Sequence, residues 1–257
     1  NHRVSSVQKG LSKLGVKKGT IVAGFVPNCA ETVISMLAVS SLGGVWTSCS
    51  PDFGANGVVD RFGQVNPHIL ITSNGYSYNG KLFKLEEKVN GVLESIDSIR
   101  HIVEIEYVDI KSNFNHDSII PFGDILNDEQ TQPTFEQLPF DHPLFIMYSS
   151  GTTGPPKSIV HSAGGTLIQH MKEHQLHCDI KAGKSTMFWF TTCGWMMWNW
   201  LVSGLSSGST IVLYDGSPSY PSLERLWKMI DDFNITHFGT SPKFLSACDS
   251  ANIFPNK

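Results

Sequence analysis

Between Tyr148 and His161 the chain reads YSSGTTGPPKSIVH. Glycine lets a backbone approach an anion closely, successive N–H groups in a tight turn point at it together, and hydroxyls and an ammonium add donors and charge. Here Ser149, Ser150, Thr152 and Thr153 supply hydroxyls, Gly151 and Gly154 the close approach, and Lys157 the positive charge. The stretch therefore predicts a polyphosphate cradle. Its spacing excludes two other phosphate loops. Walker A needs G-x-x-x-x-G-K-[ST] and the dinucleotide turn needs G-x-G-x-x-G, whereas Pro155 and Pro156 separate Gly154 from Lys157. A GTP switch protein and a nicotinamide dehydrogenase are disfavoured. A ligand-free hairpin turn draws on the same residues and is the competing reading.

Two further strings carry chemistry on paper. Residues 170 to 174 spell HMKEH, the H-x-x-E-H pattern of one zinc metalloprotease group, and on a helix His170, His174 and His177 share a face as a metal site requires. The same helix also carries Gln169, Lys172, Glu173 and Gln175, as a solvated face does. Residues 204 to 208 satisfy G-x-S-x-G, but a nucleophile elbow needs strand, turn, helix, and here a helix precedes and a strand follows.

These residues need a scaffold, and the apolar periodicity supplies one. Val4, Val7, Leu11 and Leu14 fall on one helical face; TIVAGFV (20–26), GVWTS (44–48) and ILITS (69–73) read as strands, with helices over 31–43, capped by Asn28, and 57–65 between them. Residues 110–142, rich in Asn, Asp, Gln and Pro, read as a connecting excursion. Alternation then resumes with LFIMYS, the loop, SIVHS, a helix near 163–177, TMFWFT, a helix near 195–206, TIVLYD, a helix near 222–233 and THFGT. The pattern predicts an α/β fold, largely parallel sheets flanked by helices, in three portions: 1–109, 110–142 and 143–257.

The chain has 257 residues, 40% hydrophobic and 16% charged, enough for a real core, and its net charge of −4 gives no general reason to bind nucleic acid or anionic lipid. Five scattered cysteines without a Cys-x-x-Cys pair favour reduced thiols and a cytosolic location. Residues 32–51 and 185–214 are apolar but interrupted by Gly, Ser, Thr, Asn or Cys, so they read as buried elements and no membrane insertion is expected. The sequon at Asn234 has no secretory context and reads as chance. The opening residues run straight into helix periodicity, as though the chain begins inside a domain.

Ser150 to Lys157, SGTTGPPK, resembles the S-G-T-T-G-x-P-K signature of the adenylate-forming enzymes. Five other stretches narrow the resemblance to the branch that activates acetoacetate: SLGGVWTSCSPDFGANGVVDRFGQVNP (41–67), YSYNGK (76–81), VHSAGGTLIQHMKEHQLH (160–177), GWMMWNWLVSGLSSGSTIVLYDGSP (194–218) and FGTSPKFLS (238–246). What the resemblance implies is ATP with Mg2+, CoA as co-substrate, and a two-step route through an acyl-adenylate, with residues 149–157 around the departing pyrophosphate and Lys157 and Thr152 as the catalytic groups among them. It also implies an acyl or CoA side near Thr191, Thr192 and Trp195, where bulky Met196 and Trp198 limit the acid. A Met and Trp stripe on a helix is otherwise a core feature. Gly239, Thr240 and Ser241, at the end of THFGT, sit where sheet ligands bind. The family's adenine, ribose, hinge and C-terminal-domain motifs do not occur before Lys257. The expectation is therefore an incomplete N-terminal domain that does not turn over alone; a non-catalytic nucleotide-binding or partner-binding paralogue is the alternative.

Overall fold

The computed structural model describes residues 1–126, 132–149 and 154–255. The chain divides into two compact units, one of Asn1–Tyr76 with Phe83–Thr166, the other of Ser77–Leu82 with Leu167–Lys257. The sequence placed a boundary at 143 instead. Strand pairing accounts for the difference, because the strand that begins there joins the sheet of the first unit.

In chain order the first part of the molecule runs α1 (His2–Lys13), β1 (Ile21–Phe25), α2 (Ala30–Ser41), β2 (Val45–Cys49), α3 (Ala55–Phe62), β3 (Ile69–Ser73), β4 (Gly75–Tyr78), β5 (Lys81–Lys84), α4 (Glu86–Ser95), β6 (His101–Ile105), β7 (Ile119–Pro121), β8 (Pro143–Tyr148) and β9 (Ser158–Ser162). Among the described residues seven of these strands form one sheet in the order β7-β6-β3-β1-β2-β8-β9. Its pairs are parallel except β8 with β9. β2 and β3 are buried along their whole length, as strands covered on both faces must be. One face packs Ala23, Phe25, Leu70 and Ile102 under Val58 and Phe62 of α3 and Val89 and Val92 of α4. β4 and β5 form a separate two-stranded hairpin. It turns through Asn79 and Gly80 with φ of 50° and 72°, the left-handed pair a two-residue hairpin demands.

The boundary between the units falls inside α5 (Ala163–Lys172). The second unit continues with β10 (Thr186–Trp189), α6 (Met196–Ser203), β11 (Thr210–Val212), α7 (Arg225–Asp232), β12 (His237–Gly239) and α8 (Pro242–Ser250). Its sheet, in the order β11-β10-β12, is parallel throughout. Phe188, Leu226, Met229 and Phe244 form one core cluster and Met187, Trp200 and Leu201 another. The fold is thus α/β, with largely parallel sheets flanked by helices.

Several local expectations change. The helix over 163–177 is α-helical only to Lys172 and continues as a π-helix over Glu173–His177. α2 is capped at Cys29 rather than Asn28. The excursion 110–142 contains β7 and a 3-10 turn, Phe122–Ile125, because Ile119 and Ile120 pair in register with Ile102 and Val103 of β6. Among the described residues no helix is long and apolar enough to cross a membrane.

Candidate functional site

β8 runs up the sheet beside β2 and returns as β9, so YSSGTTGPPKSIVH is the connection of an antiparallel hairpin, with Tyr148 opposite Ser158. Its tip, Ser150, Gly151, Thr152 and Thr153, lies outside the described residues. Its neck is well defined. The Ser149 N–H donates to the Lys157 carbonyl at 3.0 Å, and the Lys157 N–H donates to Ser149 Oγ at 3.2 Å. Gly154 holds φ of 113° with open space where a Cβ would stand. The Lys157 side chain is exposed and has no ion-pair partner among the described residues. The loop leads into a strand, so the stretch itself offers backbone N–H groups, hydroxyls and the lysine rather than its own helix N-terminus. Ser149, expected as a phosphate donor, also clasps the neck: its N–H donates to the Lys157 carbonyl, and its hydroxyl oxygen accepts from the Lys157 N–H, a role compatible with its O–H donating elsewhere.

Two residues that no motif marks touch this neck. The Gln64 side chain donates to the Pro156 carbonyl at 2.7 Å. The Arg61 guanidinium lies 6.0 Å from the centre of the Tyr148 ring and 4.7 Å from that of Phe53. Beneath them Thr47 Oγ1 donates to the Ile146 carbonyl and sits 3.0 Å from the Tyr148 hydroxyl. Burial pushes that phenol up, so it stays protonated. Burial likewise pushes the Cys29 thiol up to about 11 and the Cys49 thiol up to about 12, so neither is a thiolate nucleophile at neutral pH.

In the second unit, β10 and β12 lie side by side, with Trp189 opposite Gly239 and the Phe190 N–H donating to the Gly239 carbonyl. The sequence-marked residues therefore gather at the C-terminal ends of two parallel strands, but they differ in kind. Gly239 is explained by packing, because a Cβ there would meet the Trp189 indole at 2.1 Å. Ser241 is the N-cap of α8: its hydroxyl accepts from the Phe244 N–H, and Pro242 follows at N1. Thr240 Oγ1 is buried with no partner among the described residues. Thr191 is buried, its hydroxyl 3.4 Å from the Thr192 carbonyl. Trp195 is 64% exposed while Trp198 is 0% exposed, so the tryptophan stripe separates into a surface residue and a core residue.

The zinc reading of HMKEH is overturned by where its donors point. His170 Nδ1 lies 2.8 Å from Ser203 Oγ, His174 Nε2 lies 3.1 Å from the Trp200 carbonyl, and the Glu173 carboxylate accepts from the Trp200 indole at 2.8 Å. All three side chains dock onto α6, and the π turn from Glu173 breaks the i, i+4, i+7 face the motif needs. Among the described residues no three His, Cys, Asp or Glu side chains converge on a metal position. Residues 204 to 208 lie between α6 and β11, with Gly204–Ser207 as a 3-10 turn, the wrong order for a nucleophile elbow.

This histidine arrangement has a measurable consequence. Burial holds His174 below the ordinary histidine range, opposed by the Trp200 carbonyl and by Glu173, and burial also depresses His161 and His101. A depressed folded-state value means the unfolded chain takes up the proton first, so stability is level above about pH 6.5 and falls as the pH drops below it. The thermal midpoint, followed by fluorescence against pH, should decline below about pH 6.5. A His174→Phe variant should show a shallower decline. A midpoint flat from neutrality to acid would count against the buried neutral imidazole.

On a largely parallel α/β sheet with this hairpin at its edge, the sequence profile of the AMP-binding enzymes matches residues 1–256. The chain belongs to the AMP-binding enzyme family. It is 47% identical over 252 residues to the acetoacetyl-CoA synthetase of Gallus gallus, covering 95% of this chain and 38% of that protein. With the acetoacetyl-coenzyme A synthetase of Rhizobium meliloti (strain 1021) it shares 46% identity over 253 residues, 98% of this chain and 39% of that one. The solved structure of acetoacetyl-CoA synthetase from Streptomyces lividans superimposes with a TM-score of 0.93 at 44% identity, over 99% of this chain and 38% of that chain. The chain thus spans under two-fifths of the length of these relatives.

Proposed function

We propose that these residues belong to an ATP-dependent acid–thiol ligase that activates acetoacetate as acetoacetyl-AMP and transfers the acyl group to CoA. The observation that carries this reading is the Ser149–Lys157 neck, which presents an exposed lysine at the end of a glycine- and hydroxyl-rich hairpin in a chain of the AMP-binding family. The names of the relatives supply the acid. In the first step a carboxylate oxygen of acetoacetate bonds to the α-phosphorus of ATP and the bond to pyrophosphate breaks. In the second the CoA thiol bonds to the acyl carbon, AMP leaves with its carboxyl-derived oxygen, and the thiol proton passes to solvent.

Negative charge grows on the departing pyrophosphate during the first step, so a preorganised ammonium and N–H groups there lower the barrier. That task falls to Lys157, the loop backbone from Ser150 to Gly154 and the hydroxyls of Thr152 and Thr153. Thr191, Thr192, Trp195 and Thr240 are assigned to the acid or CoA side, whereas Gly239 and Ser241 act there through backbone shape. Magnesium accompanies ATP in this family resemblance, but the described residues provide no carboxylate set for it, and no step here runs through it.

The test compares two lengths of protein. Mixed with ATP, magnesium and acetoacetate, the 257-residue chain should release no enzyme-dependent pyrophosphate. A chain of the relatives' length that contains these residues should release it and, with CoA added, form the thioester. A burst from the short chain would overturn the proposed dependence on the further motifs. Silence from the long one would overturn the ligase and favour a non-catalytic binding role.

A further inference from the structure

The neck of the loop is gripped by a helix that lies outside any phosphate-loop signature. α3 ends at Phe62, with Gly63 as its C-cap and Gln64 immediately beyond. Gln64 Nε2 donates both to the Asp60 carbonyl in its own turn, at 2.5 Å, and to the Pro156 carbonyl, at 2.7 Å. Pro156 has no N–H, so its carbonyl is the one backbone group by which that residue can be held, and the next residue is Lys157. Three positions before Gln64, Arg61 is fixed by a 2.7 Å bond from Nη1 to the Gly57 carbonyl and rests beside Tyr148, the last residue of β8. The end of α3 and the residue just past its C-cap therefore reach both arms of the hairpin, Arg61 the arm entering the loop and Gln64 the arm leaving it.

We infer that Gln64 is a positioning residue for the phosphate loop, setting the direction in which Lys157 leaves it, with Arg61 steadying the opposite arm. This rests on the polyphosphate reading of the loop. The physical argument is one of leverage. Pro155 and Pro156 have restricted φ, so fixing the Pro156 carbonyl constrains the path into Lys157, whose own N–H and C=O are already held by Ser149. Charge stabilisation of a leaving group is steeply sensitive to placement, and displacement of a reacting group by about 1 Å costs on the order of a hundredfold in rate. The Gln64 side chain is exposed, so the bond contributes little to global stability and its effect is expected in the chemistry.

The experiment uses a chain of the relatives' length containing residues 1–257. Gln64→Glu keeps the shape and removes the donor; Gln64→Arg restores a donor of similar reach. Gln64→Glu should slow acyl-adenylate formation about three- to tenfold, the span of one hydrogen bond. It should leave thioester formation from supplied acyl-adenylate unchanged, and Gln64→Arg should recover most of the loss. Combined with Lys157→Ala it should add little, because both changes act through the same lysine. A Gln64→Glu variant that matches wild type, slows both half-reactions alike, or adds its full effect to Lys157→Ala overturns the positioning role. Failure of the underlying reading looks different, since wild type itself would then form no acyl-adenylate.

Discussion

Lys157→Ala is expected to slow acyl-adenylate formation by about a hundred- to a thousandfold, or ~2.7–4 kcal/mol of transition-state stabilisation, the range for removing one preorganised donor from a site of developing charge. The lysine follows the proline pair and is bracketed by its two backbone bonds to Ser149, so its main chain is held while its ammonium stays free for a ligand. An exposed lysine without an ion-pair partner among the described residues adds little to folding, and the variant should melt within about 2 °C of wild type. The loss should be confined to the half-reaction that expels pyrophosphate; thioester formation from supplied acyl-adenylate should proceed at the wild-type rate. Lys157→Arg should recover only part of the rate, because a planar fork replaces a compact point charge. An unchanged adenylation rate for Lys157→Ala would assign the work to the backbone N–H groups instead.

That lysine is proposed from residue types alone, whereas most of the scaffold was legible in the sequence and is seen in the fold. Strand β3 occupies the very residues read as ILITS, and β1, β2, β10, β11 and β12 begin within a residue of their apolar runs, because a buried parallel strand is a short apolar run bounded by turn residues. Other features were hidden for stated reasons. The chain direction of β9 is set by the loop that precedes it, and SIVHS carries no sign of whether its partner is parallel. The π turn at Glu173 depends on Glu173 and His174 docking on Trp200, some 26 or 27 residues away in sequence. The grip of Gln64 on Pro156 spans 92 residues, and nothing in FGQVNP distinguishes it from an exposed glutamine after a helix. Gly239 and Ser241 show the converse. Sequence position at a strand end suggested ligands, while an overlying indole and a helix cap account for their identities.

The same separation of roles governs the tryptophan stripe and yields a large expected stability effect. Trp198→Ala should destabilise the protein by about 3–5 kcal/mol, the cost of removing a fully buried aromatic and leaving a cavity that its neighbours fill incompletely. Trp198 lies in α6, whose Leu201 and Trp200 pack with Ile180 and Met187 in the same unit, and Trp200 takes the edges of Trp189 and His174 at 5.5 and 4.5 Å. Loosening α6 therefore disturbs the seat of Trp189 over Gly239, at the strand ends assigned to the acid or CoA side. Trp195→Ala should behave oppositely. It is the N-cap residue of α6 but makes no side-chain capping bond and stands largely in solvent, so unfolding in urea should shift by less than about 0.5 kcal/mol. If Trp195 meets the acid or CoA, its removal should raise KM for one of them while the melting curve stays put. Equal destabilisation by the two variants would mean that Trp195 is covered in the protein as it works, and would move it from the substrate side to the core.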